Sequence, residues 1–430
     1  MSGQPGLIEL QFIDMTGQLR SIDIDTERFK NAIRLGKIVD GSSINMKPLE
    51  KSDLLLKPIM ETYFQLPWNS DVARVLCDMY EPAQKVEDFG KEKEFEISPR
   101  YALKKMIKRI EAEGYSFHTS CEMEFFAITE NRPYDRAGYM APPPMDKIAP
   151  LRREIVKTLS KVNIQGEYTH HEVSTGQYEI CFRHNEALRT ADNVMTFKYI
   201  AKNLASMQNL TLSLMPKPYT GINGSGMHIH MSLFDSEGTE NLFFGGGELL
   251  SKLATHFMGG ILKHARAISA LAASTVNSYK RLLAGYEAPV YVCWGYMNRS
   301  ALIRIPSFNS PQLARLELRM PDPCCNPYLV FAAILAAGLW GISEKVDPGA
   351  PWDKNAYFHH EGLDVIPATL KEALDELEKD KLIREALGSS LMDHYLKIKR
   401  REWSEYQKLY PEWNPNEITE WERNKYLEFF

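Results

Sequence analysis

Acidic, imidazole and guanidinium side chains recur in this chain at the two-residue spacing that puts them on one face of a β-strand. In SFHTSCEMEFFAI, a strand would carry Glu122 and Glu124 on one side, with Cα atoms about 6–7 Å apart. Cys121, Met123 and Phe125 would then turn to a core. His228 and His230 share a face in NGSGMHIH, just after a glycine-rich run that lets backbone approach a ligand. In ARLELRM, Arg315, Glu317 and Arg319 oppose Leu316 and Leu318. Glu172 and Glu179 of HHEVSTGQYEI are seven apart, so they converge only if Gly176 breaks the chain between them.

Each pattern has a plain alternative. The paired acids suit a solvated sheet face, the histidines a structural pair, and the Arg–Glu–Arg run a cross-strand ladder of ion pairs. The functional reading joins them. Glutamates with a histidine and no cysteine form a hard ligand set suited to Mg²⁺ or Mn²⁺. Several carboxylates in one cleft raise each other's pKa unless cations neutralise them. Arg281, Arg299, Arg304, Arg315 and Arg319 suit phosphates and a carboxylate, since guanidinium groups hold anions bidentately. The sum describes phosphoryl transfer to an acidic substrate. GxxxxGK[ST] does not occur, so the nucleotide is not held by a P-loop.

These groups need a scaffold. The length of 430 residues exceeds a single core and implies two domains. Alternating runs at 7–12 and 73–77 read as strands of a small strand-rich unit, with a Gly, Ser, Lys and Pro loop around 40–51. Residues 81–96 are charged and poor in apolar side chains, a linker, so the expected domains are 1–95 and 96–430. Ser98 as N-cap, Pro99 at the first helical position and Gly114 past the end predict a helix. Strands and helices then alternate without a βαβ rhythm, which predicts α+β rather than a doubly wound sheet. The apolar run 329–342 is too short to cross a bilayer and reads as a buried helix. The tail reads as helices, with a break at Gly388 and a capping box of Thr419 with Glu422. A net charge of -5 gives no footprint for nucleic acid and no polybasic membrane patch. No signal peptide is visible at the start, and six scattered cysteines without a CxxC pair point to a reducing cytoplasm.

Seven motifs in order carry a resemblance: DGSS at 40–43, EMEFF, HHEVSTGQYEI, MPKPYTGINGSGMHIHMSL, NSYKRLLAGYEAP, NRSALIRIP and RLELRMPDP. From about residue 8 onward the chain resembles the glutamine synthetase family, in its type I form without an adenylylation motif. The resemblance implies a β-grasp-like amino-terminal domain and a larger α+β catalytic domain with a curved antiparallel sheet. It also implies stacked hexameric rings, a homododecamer, with each active site shared between neighbouring subunits. The implied reaction joins ammonia to the γ-carboxylate of glutamate through a γ-glutamyl phosphate, with ATP as co-substrate and two or more Mg²⁺ or Mn²⁺ ions. Residue by residue, one metal would fall to Glu124, Glu172 and Glu179, the other to Glu122, His228 and Glu317. Glutamate would be held by Arg281, Arg319 and the backbone at Gly224. ATP would meet Glu167, His230, Ser232, Arg299, Arg304 and Arg315. Asp40 would take a proton from ammonium beside Ser43, Asp53 and Tyr139, reaching in from an adjacent subunit, while Glu287 closes the site. Asp40, Glu287 and Arg299 are thus the expected catalytic groups.

The chain departs from the family pattern at Ser120-Cys121, where Gly-Pro is usual, at Met123, which replaces a common proline, and at His184, where an aromatic residue often flanks the adenine. The loop after DGSS is one residue short and lacks an arginine linked in some relatives to feedback inhibition. Two rival readings are a γ-glutamyl ligase for another amine (polyamine or ethanolamine) and a non-catalytic structural or regulatory relative. The first would change the ammonium-site residues and the second would lose a metal ligand; all are present.

Overall fold

The computed structural model describes residues 4–428. The amino-terminal part is a mixed sheet built from β1 (Leu7–Ile13), β2 (Leu19–Asp25), β3 (Lys37–Asp40), β4 (Asp53–Pro58), β5 (Phe64–Leu66) and β6 (Asn69–Tyr80), with α1 (Thr26–Leu35) between β2 and β3. The strand order is β2-β1-β6-β4-β3, with β5 also on β6. Only the β1–β6 pair is parallel within this sheet among the described residues. Asp25 caps α1 by accepting from the Arg28 amide, and Phe29 and Ala32 turn inward.

The large sheet is organised by one long strand. After α2 (Pro99–Ala112), capped by Ser98 as expected, come β7 (Tyr115–Thr129), the short β8 (Arg132–Pro133), α3 (Ala149–Lys161), β9 (Gly166–His171), β10 (Gln177–Phe182) and β11 (Asn185–Glu186). Next are α4 (Ala187–Ser206), β12 (Thr211–Ser213), β13 (Met227–Asp235) and a small hairpin of β14 (Phe244–Gly245) and β15 (Glu248–Leu250). Helices α5 (Lys252–Lys263), α6 (Ala265–Ala272) and α7 (Ser278–Arg281) lead to β16 (Trp294–Tyr296), β17 (Ile303–Ile305) and β18 (Leu316–Leu318). The sheet runs β16-β17-β18-β13-β7-β10-β9, with β8, β11 and β12 also pairing with β7. It is antiparallel as expected except at one edge, where β16 and β17 lie parallel. Strands of three residues carry too little alternation for the sequence to reveal that pairing.

Phe117, Cys121, Met123 and Phe125 of β7 are buried on one side, against α2 and α4. This leaves the even-numbered positions of β7 for the opposite, polar face. Behind the helical layer runs α8 (Pro327–Ser343), apolar all round and buried for nearly its whole length, which is the core helix expected of its composition. It crosses α5 at backbone contact: a Cβ on Gly260 would meet the Ala337 carbonyl, and one on Gly341 the His256 carbonyl. The tail forms α9 (Leu370–Lys379), α10 (Lys381–Leu387), α11 (Ser389–Leu409) and α12 (Glu420–Tyr426). Gly388 separates α10 from α11, and Thr419 and Glu422 make the expected capping box on α12. No helix of the described residues is long and apolar enough to cross a membrane.

Candidate active site

Cross-strand register gathers the charged residues on the polar face. Glu122 lies opposite His228, and Glu124 opposite Glu179, which in turn faces His170. On the other flank His230 is paired with Glu317, and Glu317 with Arg304. Glu172 joins from just beyond β9, because the turn into β10 reverses the chain at Gly176, whose φ of 66° favours glycine. The predicted break is therefore where it is needed.

Of these side chains, Glu122, Glu124, His170, Glu172, Glu179 and His228 line a cavity of about 710 Å³ together with Tyr139, Gly224, Arg281, Glu287, Arg299 and Arg319. A second pocket of about 140 Å³ shares Glu122 and Tyr168 with it and continues past Glu167, His230, Ser232 and Arg315. His184 stacks there on Phe234, with ring centroids 6.2 Å apart.

Two clusters with different electrostatics meet in the main cavity. In the first, Glu122, His228 and Glu317 offer ligating atoms within 4.8 Å of one another. Glu122 Oε2 lies 2.9 Å from His228 Nδ1, and Oε1 accepts from Tyr168 at 2.9 Å. Glu317 is fixed between Arg304 and Arg319, each 2.5 Å away. Burial opposes its charge, but His230 and Arg319 hold its carboxyl at about 2. Burial likewise raises Glu122, and His230 and His228 outweigh it, so its carboxyl stays well below the usual range. Burial and the Arg319 charge push His228 down, which favours the neutral imidazole that can ligate a metal. His230 is pulled up by Glu122 against the effect of burial, yet its Nδ1 faces the Arg315 Nε–H at 3.2 Å. Two opposed N–H groups repel, so the geometry decides for a neutral ring with its proton on Nε2, directed at Glu122 Oε1 at 2.9 Å.

The second cluster has surplus negative charge. Burial first, and the Glu172 and Glu179 carboxylates second, raise Glu124 well above the carboxylate range. The same two kinds of cause lift Glu172 to about 7. Glu124 Oε2 accepts from Gln177 Nε2 at 3.0 Å and from the Gly226 amide at 2.8 Å. The trio with ligating atoms within 4.8 Å here is His170, Glu172 and Glu179, with Glu124 beside it. Hard oxygen donors that bind protons for want of counter-charge suit a divalent cation, so the residues present fit one.

A family model described as the glutamine synthetase catalytic domain matches residues 96–426, and one described as the glutamine synthetase beta-Grasp domain matches residues 6–82. The chain belongs to the glutamine synthetase family. The glutamine synthetase of Thermotoga maritima is 43% identical over 439 residues, covering 98% of this chain and 96% of that one. That of Pyrococcus woesei is 42% identical over 437 residues, with the same coverage of 98% and 96%. Among solved structures, GmaS in complex with ADP superposes with a TM-score of 0.87 at 30% identity, covering 98% of this chain and 96% of that one.

Three of the expected site residues do not line this chain's own cavity. Asp40, Ser43 and Asp53 lie on β3, β4 and the loop between them, with Asp40 opposite Asp53. The Ser42 hydroxyl first and the Ser43 hydroxyl second hold the exposed Asp40 carboxyl at about 2. Glu287 adopts φ 57°, a strained conformation for a residue with a Cβ, and accepts from Asn223 at 3.1 Å. Reading by residue type passed over His170 and Tyr168, although both follow the two-residue rule from Glu172.

Proposed function

We propose that this chain joins ammonia to the γ-carboxylate of L-glutamate, with cleavage of ATP and passage through γ-glutamyl phosphate. One observation carries the reading: acids, histidines and arginines distant in sequence share one sheet face and line one cavity that continues into a smaller pocket. Relatives at 43% and 42% identity named glutamine synthetase favour ammonia over a larger amine, and the ADP in the GmaS complex favours a nucleotide in the smaller pocket.

Glu122, His228 and Glu317 would hold one Mg²⁺ or Mn²⁺, and Glu124, Glu172 and Glu179, with His170 alongside, another. Bound there, the ions would neutralise phosphate charge as it shifts during transfer. Arg281, Arg319 and the Gly224 backbone orient the amino acid so that its side-chain carboxylate faces the terminal phosphate. Arg299 on the main cavity, Arg315 on the smaller pocket and Arg304 beside Glu317 would stabilise the phosphates, and Glu167, His230 and Ser232 would position the rest of the nucleotide. Asp40 binds ammonium as an ion pair with Ser43, Asp53 and Tyr139 nearby and accepts its proton; the ammonia so freed attacks the acyl carbon of γ-glutamyl phosphate, and phosphate leaves as the acyl C–O bond breaks. Glu287, on its strained loop, closes the cavity against water.

Asp40 serves a neighbouring subunit's cavity in this reading, within a cytoplasmic homo-oligomer of hexameric rings, as a dodecamer. Exposed Ile33, Leu35, Ile38 and Leu49 on the same domain support a contact between copies there. Residues 1–95 would form the donating unit and 96–430 the accepting one. The test is ATP turnover with glutamate, comparing ammonium with methylamine, ethanolamine and putrescine. Preference for any of the larger amines overturns the substrate assignment.

A further inference from the structure

Helix α12 lies outside the cavity, yet its polar residues bond to the segments that form the amino-acid end of it. Glu422, Lys280 and Asn277 are all fully buried. Lys280, next to Arg281, donates to Glu422 Oε2 at 2.6 Å, and Asn277 donates to Oε1 at 2.9 Å. Asn277 also accepts from the Lys217 amide at 2.7 Å and donates to the Lys217 carbonyl at 3.0 Å. Lys217 Nζ in turn donates to the Ile222 carbonyl, in the run that leads to Gly224, and stands 3.8 Å from the centre of the Tyr286 ring, beside Glu287. A second tie runs from Arg423 to the Pro218 carbonyl at 2.9 Å.

A buried ion pair of this kind adds little net stability over apolar packing of the same volume, because desolvation offsets the attraction. What it does supply is a fixed geometry. One carboxylate sets the places of three short segments, 217–224, 277–281 and the loop at 286–287, and these present Gly224, Arg281 and Glu287. Gly224 and Arg281 are themselves in close register, since a Cβ on Gly224 would lie 3.1 Å from Arg281 Cγ.

We propose that Glu422 is a positioning residue for the glutamate subsite, acting from α12 through Lys280, Asn277 and Lys217. This rests on the glutamine synthetase reading. The full-length protein is compared with Glu422→Gln, which keeps the shape and removes the charge, and with Arg423→Ala, which cuts the partly buried tie to Pro218 and the guanidinium's packing over the Tyr219 ring but leaves Glu422 and its partners in place. Expected is a rise of about tenfold in KM for glutamate for Glu422→Gln, and a smaller rise for Arg423→Ala, with KM for ATP changed by less than about twofold. Hydrogen exchange should quicken at 217–226 and 276–288 in both variants. A variant that loses only thermal stability or active fraction, with glutamate KM and those exchange rates unchanged, overturns the proposal. Wild-type protein without glutamate-dependent ATP turnover would refute the functional reading instead, and the exchange measurement would still decide the wiring. If Glu422→Gln does not fold, Lys217→Met, which cuts the same path at Ile222 and at the Tyr286 ring, decides both arms.

Discussion

Replacing Glu172 with Gln should weaken the coupling between uptake of a divalent cation and pH. In the free cavity the Glu172 carboxyl sits at about 7, raised from 4.5 by burial first and by the Glu179 charge second. A displacement of about two and a half pH units is on the order of 3 kcal/mol in favour of the protonated form. The side chain is only 13% exposed, so solvent screens little of this. A cation requires the ionised carboxylate, so below about pH 7 each ion bound must expel a proton, and affinity weakens by up to about tenfold per pH unit. Glu124, raised by the same causes, adds a second proton to the count. Calorimetric titration of metal-free protein with Mg²⁺ or Mn²⁺ near about pH 6 and about pH 8, in buffers of different ionisation enthalpy, measures affinity and proton release together. Glu172→Gln should bind more weakly, release one proton fewer and show a shallower pH slope. The sign for stability follows from the same displacement. Folded Glu172 holds its proton more tightly than unfolded Glu172, so its contribution is intact below 4.5 and is lost as pH rises towards about 7. Metal-free wild type should thus lose up to about 3 kcal/mol relative to Glu172→Gln across that window. His118, pushed down to about 4 by burial, titrates in the opposite sense, but it is present in both proteins and cancels. Wild-type affinity that is flat between the two pH values without proton release, or an unaltered slope in Glu172→Gln, would refute the reasoning.

Two further outcomes are expected. Asp40→Ala should depress ammonia-dependent glutamine formation more than ATP cleavage with glutamate alone, as read by parallel product and phosphate assays; equal loss of both would remove Asp40 from the ammonia step. Because its serine partners hold Asp40 at about 2, it should add no inflection to the rate profile above about pH 5. Gly224→Ala should abolish glutamate-dependent turnover, because the new methyl group would run into the Pro216 carbonyl and press on Arg281. Wild-type KM for glutamate in that variant would show that the close approach is not needed.

Much of the site was legible because the strand period turns spacing into direction. Glu122 with Glu124, His228 with His230, and Arg315 with Glu317 and Arg319 face one way for that reason alone, and their odd-numbered or even-numbered neighbours supply the core. The capping box at Thr419 and Glu422 was legible as a local signal, but not its second use: Glu422 reaches Lys280 from 142 residues away, and no local rule spans such a separation. Charge states were also hidden. Glu317 and Glu124 are the same residue type, yet one is held ionised by His230 and Arg319 and the other pushed towards its protonated form by burial and by neighbouring carboxylates. The fold followed the helix caps and the buried run in α8, and it diverged at the parallel β16–β17 edge, where three-residue strands offer no pattern to read.

The crossing of α5 over α8 has its own consequence for how the sequence can drift. Gly260 and Gly341 let two main chains touch with no side chain between them, so neither position has room for even the smallest replacement. Drift at these two sites is therefore barred by shape alone, however hydrophobic the newcomer, and the penalty falls on positions that line neither pocket of the site. A library screened for survival should return glycine at both, as strictly as it returns the acids that face the cavity.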